Sequence, residues 1–223
     1  KKSDAENRYN DLVDYYTLWV HQIKTPIAAS KLLVSEVADR QLKQQLEQEI
    51  FKIDSYTNLV LQYLRLESFH DDLVLKKESI EDLVKEVIRK YAIFFIQKGL
   101  SINLHDLDRS IVTDKKWLLV VIEQILSNSL KYTNEGGLEI YMDGSDLCIK
   151  DTGIGIKNSD RLRVFERGFS GYNGRMTQQS SGLGLYLTQK ISQELGHQIQ
   201  IESELGQGTT VRIKFSEVNL LIE

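Results

Sequence analysis

The chain of 223 residues has one cysteine, one proline and no long apolar run, and each scarcity removes a class of explanation. Cys148 has no second thiol to pair with, so an internal disulfide is excluded. It sits in an alternating apolar run and reads as a small buried strand residue of a protein from a reducing compartment. The longest apolar runs, Tyr91 to Ile96 and Trp117 to Ile122, fall far short of the roughly 20 residues a membrane helix needs, so the chain as given is expected to be soluble. An excess of positive charge is also lacking. With 28 basic and 32 acidic residues the net charge is −4, which leaves no electrostatic footprint for nucleic acid. The first residue is Lys1 rather than methionine, so a longer protein with an upstream segment is expected. The length suits one sizeable core and a second, smaller element.

The single proline is informative. Pro26 lies inside a helical pattern, where it removes a backbone bond to the carbonyl of Gln22 and costs about 3 kcal/mol. It closes the run Trp19-Val20-His21-Gln22-Ile23-Lys24-Thr25-Pro26. On a helical wheel at about 100° per residue, Leu12, Tyr16, Trp19, Ile23, Ile27, Val34 and Val37 share one arc, and His21 projects opposite them into water. A lone histidine is commonly a satisfied core residue. An exposed imidazole beside a broken helix rule reads instead as a nucleophile.

Two helices are predicted, from about Ala5 to Val37 and from about Gln41 to Ser68, joined around Ala38-Asp39-Arg40. The second repeats the apolar seam at Leu42, Leu46, Ile50, Ile53, Thr57, Val60 and Leu64. Two narrow stripes cannot be buried by a lone hairpin, so pairing with a second copy into a four-helix bundle is expected; packing on the C-terminal domain is the other solution. After Phe69-His70-Asp71-Asp72 the pattern becomes mixed, giving domains 1–70 and 71–223. A strand near Leu73 to Lys77 precedes a helix opened by Ser79 and closed by Lys98-Gly99. Further strands are predicted at Ser101 to His105, Leu138 to Met142, Leu147 to Lys150, Gln198 to Glu202 and Thr210 to Phe215. The fold class is therefore α plus α/β, a dimerising two-helix hairpin followed by an α/β sandwich. No period survives between Ile156 and Gly182, as in a lid.

In the predicted helix from about Asp114 to Tyr132, Leu118, Leu119, Ile122, Ile125, Leu126 and Leu130 share one face, and Gln124, Asn128 and Lys131 form a polar stripe opposite. An amide oxygen beside an ammonium suits a magnesium ion and the phosphates it bridges, although a polar stripe alone is ordinarily a solvated face. Asp151-Thr152-Gly153-Ile154-Gly155 follows a strand; its glycines allow a tight turn, and Asp151 offers an acceptor for an exocyclic amine. Ser181-Gly182-Leu183-Gly184-Leu185 then opens a helix to Leu195 stopped by Gly196, and free amides at a helix N-terminus favour a polyphosphate.

In this order the segments resemble the bacterial two-component sensor histidine kinases, whose catalytic domain is of the GHKL (Bergerat) type. His21 to Pro26 resembles the phosphoacceptor box, Gln124 to Thr133 the asparagine box and Asp151 to Ile156 the first glycine box. Phe165-Glu166-Arg167-Gly168-Phe169 resembles the phenylalanine box, and Gly182, Leu183, Gly184 and Leu185 the second glycine box. Gly206-Gln207-Gly208-Thr209 resembles the third. The resemblance implies ATP and magnesium as cofactors, with Asn128 on the metal and Lys131 and Tyr132 on the nucleotide. It further implies Asp151 on the adenine amine, Thr209 supporting the adenine pocket, Arg167 on the terminal phosphates and a lid from Gly168 to Ser181. More narrowly, Trp19-Val20-His21-Gln22 resembles the intramembrane-sensing kinases that respond to cell-envelope peptide antibiotics, often alongside a transporter. That implies the cytoplasmic domain of a cell-membrane protein.

The activity implied is ATP-dependent autophosphorylation of His21 and transfer to an aspartate of a response-regulator receiver domain, with regulator phosphatase activity assisted by Thr25. Two departures bear on it. Most relatives carry an acid after the histidine, whereas Gln22 can orient the ring but is a very poor base. Gln124 stands where ATP-hydrolysing members of the superfamily carry a water-activating glutamate, which favours transfer over hydrolysis; Glu123 next door points about 100° away. Two rival readings fit parts of the pattern: an ATP-driven conformational clamp, and a catalytically silent dimeric scaffold.

Overall fold

The computed structural model describes residues 2–66, 69, 73–171 and 181–216, with side chains from residue 13 onward. Leu12's side chain, Ser68, His70 and most of the expected lid lie outside the described residues. The chain divides into two compact units, Lys1–Asp72 and Leu73–Glu223.

The first unit is a pair of packed helices, α1 (Lys2–Ser35) and α2 (Arg40–Arg65). Asp39 ends the connection between them in an extended conformation, and its carboxylate accepts from the backbone N–H groups of Gln41 and Leu42 at 2.8 and 3.0 Å. That satisfies two of the donors a helix start leaves open. Lys43 reaches back to the Ser35 carbonyl at 2.8 Å, and Lys31 pairs with Asp54 at 2.7 Å. The arc that α1 buries overlaps the expected seam at Ile27 and Val34 and is shifted toward Val20. Val20, Ile27 and Val34 are buried, a strict seven-residue repeat, whereas Tyr16 and Trp19 are 39% and 44% exposed. One neighbouring helix covers only part of a helix's circumference, so the broad arc drawn on the wheel stays partly open. The same holds on α2, where Thr57, Leu59 and Leu61 are buried and Leu42, Leu46 and Ile53 are exposed. Pro26 does not interrupt α1. The Gln22 carbonyl that loses its helical donor belongs to an exposed residue, where water can replace the bond.

The second unit begins with β1 (Leu75–Ser79), paired antiparallel with β3 (Ser110–Asp114). Between them run α3 (Ile80–Lys98) and β2 (Ser101–His105). Strand β1 lies slightly later than predicted because Ser79 serves twice: its extended backbone ends the strand, and its hydroxyl caps α3 by accepting from Asp82 N–H at 3.2 Å. Gly99, at φ 67°, closes α3 in the left-handed conformation that glycine adopts without penalty. Strand β3 was not anticipated. It is short, and Asp114, read as the start of a helix, is its last residue as well as the cap of α4 (Lys115–Tyr132).

Strands β4 (Gly137–Asp143) and β5 (Asp146–Asp151), the short helix α5 (Asn158–Arg161), helix α6 (Gly184–Glu194), and strands β6 (Gln198–Glu204) and β7 (Gly208–Lys214) complete the unit. The main sheet has the order β2-β4-β5-β7-β6, parallel between β2 and β4 and antiparallel elsewhere. One face carries Leu138, Ile140, Leu147, Ile149, Val211 and Ile213, all buried, with α4 on β5 and α6 on β6. The other face is polar, with pairs such as Glu139–Lys150 at 3.3 Å and Arg212–Asp143 at 2.7 Å, and it includes the fully buried Cys148. This alternation is the signature of a two-layer sandwich.

His197, 2% exposed at the start of β6, touches Thr113 Oγ1 through Nε2 at 3.3 Å and meets the edge of Phe215. Burial pushes its pKa down from 6.5 to about 4. Folding therefore favours the neutral ring, and between those two values the unfolded chain binds the extra proton. Stability is expected to fall as pH drops from about 6.5 to about 4, by about 3 kcal/mol at the lower end. Urea unfolding followed by Trp117 fluorescence in a Trp19→Phe background should show this slope, and His197→Gln should flatten it.

Candidate nucleotide and phosphoacceptor sites

In the second unit, Asp151 is the convergence point. It ends β5, is 6% exposed, and its two carboxylate oxygens are used differently. Oδ1 accepts from the backbone N–H of Gly153 at 2.9 Å and of Thr209 at 3.1 Å; Oδ2 accepts from the Ser129 hydroxyl at 3.1 Å. Burial raises its pKa above the ordinary value, and these three donors oppose the rise by stabilising the ionised form. The carboxylate thus ties the end of α4 to the turn after β5 and to the start of β7.

The glycines of this region are required by close backbone approach. At Gly155, φ 67°, a Cβ would collide with the Glu204 carbonyl, and at Gly208, φ 98°, with the carbonyl of Asp151 itself. At Gly153 it would lie 2.6 Å from the Tyr132 carbonyl, which accepts from Ile154 N–H at 3.1 Å. Beside Gly153 the Thr133 hydroxyl is buried with no hydrogen-bond partner among the described residues. Thr209 serves Asp151 through its backbone amide, while its hydroxyl sits 2.9 Å from Ser203 Oγ. Ser203 in turn accepts from Ile156 N–H at 2.9 Å and donates to the Gly208 carbonyl at 2.8 Å, latching the turn of the first glycine motif onto the third.

Helix α4 presents the polar stripe as read. Gln124, Asn128, Lys131 and Tyr132 are all half-buried. The Gln124 amide oxygen reaches Gly184, where a Cβ would come within 2.8 Å of it, so this side chain lies against the first residue of α6. No side chain caps that end of α6, which starts at Gly184 rather than Ser181; Ser181 accepts from Leu183 N–H at 3.3 Å just before it. The Lys131 ammonium lies 4.9 Å from the Tyr132 ring centre, and burial lowers its pKa from 10.5 to about 8. A half-buried cation and uncapped helix amides together suit a polyanion. Arg167 is exposed and adjoins Gly168, whose N–H donates to the Gly182 carbonyl at 3.0 Å; a Cβ on Gly182, φ 67°, would strike Gly168. Glu123 is held at 2.7 Å by Lys90 of α3.

In the first unit, His21, Gln22 and Thr25 are all exposed on α1, and Val20 beside them is fully buried. The Thr25 hydroxyl turns back toward the His21 carbonyl in a long 3.5 Å contact.

Two residues of the nucleotide region were not singled out in the sequence. Ser129 follows Ile122, Ile125 and Leu126 at helical spacing, so a polar residue on the apolar face was the available signal. Ser203 carried none.

Residues 113–219 match the family described as Histidine kinase-, DNA gyrase B-, and HSP90-like ATPase. Across 223 aligned residues the chain is 35% identical to Sensor histidine kinase YxdK of Bacillus subtilis, covering 96% of this chain and 68% of that protein. It is a sensor histidine kinase by family. Sensor protein kinase GraS of Staphylococcus aureus is 38% identical over 212 residues, covering 93% of this chain and 61% of GraS. Among solved structures, the ShkA full-length complex with AMPPNP superposes with a TM-score of 0.65 at 23% identity, covering 90% of this chain and 45% of that one. Acinetobacter baumannii histidine kinase AdeS gives 0.61 at 21% identity, covering 89% and 98%. These two establish the histidine-kinase fold. The clamp and scaffold readings are not favoured.

The kinase fold depends on its glycines unequally. Gly155→Ala and Gly208→Ala place a methyl group on a carbonyl in a left-handed backbone, and each is expected to cost about 2–4 kcal/mol. Gly144→Ala, at φ 59° with open space around it, should cost only about 1–2 kcal/mol. Denaturant midpoints of the three variants provide the comparison.

Proposed function

We propose that this kinase transfers the γ-phosphoryl group of ATP to His21 and passes it to an aspartate of a response-regulator receiver domain. The observation that carries the reading is the exposed imidazole of His21 on a continuous helix, in a chain whose other unit has the fold of a nucleotide-binding domain. A ring nitrogen attacks the γ-phosphorus with its lone pair, the bond to the bridging oxygen breaks and ADP leaves. The Gln22 amide accepts a hydrogen bond from the other ring nitrogen, and the proton passes to solvent. Such a transfer asks the protein for positioning and charge neutralisation more than for covalent chemistry.

Asp151 accepts from the adenine amine, Lys131 and Tyr132 contact the nucleotide, Thr209 supports the adenine pocket through its amide, and Arg167 reaches the terminal phosphates. The backbone at Gly153, Gly155, Gly182, Leu183, Gly184 and Leu185 shapes the walls. The amide oxygen of Asn128 fits magnesium, a hard cation that takes few protein ligands and completes its shell with phosphate oxygens and water. When bound, the ion neutralises charge on those phosphates.

Residues 1–70 act as the dimerisation and phosphotransfer hairpin and residues 71–223 as the catalytic domain. The exposed Tyr16, Trp19, Leu42, Leu46 and Ile53 support a homodimer through the helices. Thr25, exposed one turn after His21, positions water for regulator dephosphorylation. The chain spans 61% of GraS, and no described helix is long and apolar enough to cross a membrane. The resemblance to the intramembrane-sensing kinases adds attachment to a membrane segment, a response to cell-envelope antibiotics and a transporter partner, and the likeness to YxdK and GraS supports the first two.

Incubation with radiolabelled ATP tests the assignment: the parent should acquire acid-labile label, and His21→Ala should bind ATP equally and acquire none. Residual label on the variant overturns it.

Lys131 supplies a second test. A phosphate beside its ammonium restores the charged form, so between about pH 8 and 10.5 ATP binding should take up a proton and weaken as pH rises. Calorimetry at pH 9 in two buffers of different ionisation enthalpy reads that proton, and Lys131→Met should abolish it.

A further inference from the structure

Of the donors on Asp151, two are backbone amides that any sequence with this fold supplies. The third is a side chain. Ser129 is 3% exposed, lies on the apolar face of α4, and gives Oδ2 its one hydrogen bond from the described residues, at 3.1 Å. Oδ1 already accepts two bonds, from Gly153 and Thr209. A carboxylate oxygen offers two lone-pair directions, so Oδ1 is filled and Oδ2 retains one. A ligand N–H reaching Asp151 therefore meets Oδ2 in the direction left by Ser129.

We propose that Ser129 is a positioning residue that makes the site select a 6-amino purine over a 6-oxo purine. The proposal rests on the reading that Asp151 faces the purine 6-position. Three donors in fixed places hold the carboxylate plane, and the remaining Oδ2 lone pair accepts only from a donor. The 6-amino group of adenine supplies one. The 6-oxo group of hypoxanthine presents an acceptor to a carboxylate oxygen, a repulsive pairing, and a site built around one hydrogen-bond partner rejects the wrong one strongly. Without the Ser129 hydroxyl, Oδ2 loses the bond that orients it. The carboxylate then rotates about its Cβ–Cγ bond or takes a proton, and a protonated carboxyl can donate to a 6-oxo group.

The test is the ratio of ATP to ITP affinity, since the two nucleotides share sugar, triphosphate and purine skeleton and differ in the 6-substituent and in N1, an acceptor in adenine and an N–H in hypoxanthine. Calorimetric titration of the whole chain with each nucleotide gives the ratio for the parent, Ser129→Ala, Ser129→Cys and Asp151→Asn. Removing one hydrogen bond to a charged group corresponds to about a tenfold loss, so Ser129→Ala should bind ATP about tenfold more weakly. ITP should change less than about twofold. The weak thiol donor of Ser129→Cys should fall between, and it carries the test if Ser129→Ala does not fold. A merely structural role would weaken both nucleotides alike and leave the ratio unchanged, which overturns the proposal. If Asp151→Asn also leaves the ratio unchanged, the placement of Asp151 at the purine 6-position fails as well. If Asp151→Asn collapses the ratio and neither serine variant moves it, the role of Ser129 alone is wrong.

Discussion

The second unit depends on one buried carboxylate. Asp151 receives hydrogen bonds from α4, from the turn following its own strand, and from the first residues of β7, elements far apart in sequence. A carboxylate this deeply buried is costly unless its oxygens are satisfied, so the three donors and the acid stabilise one another's positions. The close approaches at Gly155 and Gly208 follow from that demand. They bring the Glu204 and Asp151 carbonyls to distances no Cβ permits, so that the turn and the strand can present amides to the same oxygen.

Around that centre, side chains borrowed from neighbouring elements fix the ends of α4. Asp114 caps its start by accepting from Trp117 N–H at 3.0 Å, and the same carboxylate accepts from Val74 N–H at 2.8 Å. At the other end, Lys98 of α3 donates to the carbonyls of Leu130 and Thr133 at 2.7 and 2.9 Å. Burial lowers the pKa of that ammonium, yet it occupies the place where a helix end concentrates negative potential. Asn128, Ser129, Lys131 and Tyr132 all lie on the stretch so held. The turn after β5 is fastened to β6 and β7 and to the end of α4.

Much of this was legible in the sequence because it is local. Ser79, Gly99 and Asp114 announced helix ends, and alternation marked every strand of the main sheet. The glycine motifs signalled tight turns, though not which carbonyl each glycine avoids, since that depends on strands meeting across the sheet. Strand β3 escaped because its five residues end in a capping aspartate that also opens the next helix. The bonds of Ser129 and Thr209 to Asp151 escaped because register, not pattern, brings them there. On α1 the wheel drew an arc of which α2 covers one side, at Ile27 and Val34, together with Val20 beside it. A wheel ranks faces by apolarity, whereas the single neighbouring helix covers Val20, Ile27 and Val34 and leaves Trp19 open.

The strand order has a bearing on synthesis. Although β7 comes after every other strand in sequence, it lies in the interior of the sheet, between β5 and β6. A ribosome releases β5, α6 and β6 before the strand that joins them, so the emerging sheet has a gap where β7 belongs. Until that gap closes, the Asp151 carboxylate lacks the Thr209 amide and the turn at Ile156 lacks its latch through Ser203 to Gly208. The surroundings of Asp151 are thus completed only when β7 inserts, and a nascent chain halted before Gly208 carries the helices and most of the sheet with that carboxylate one donor short.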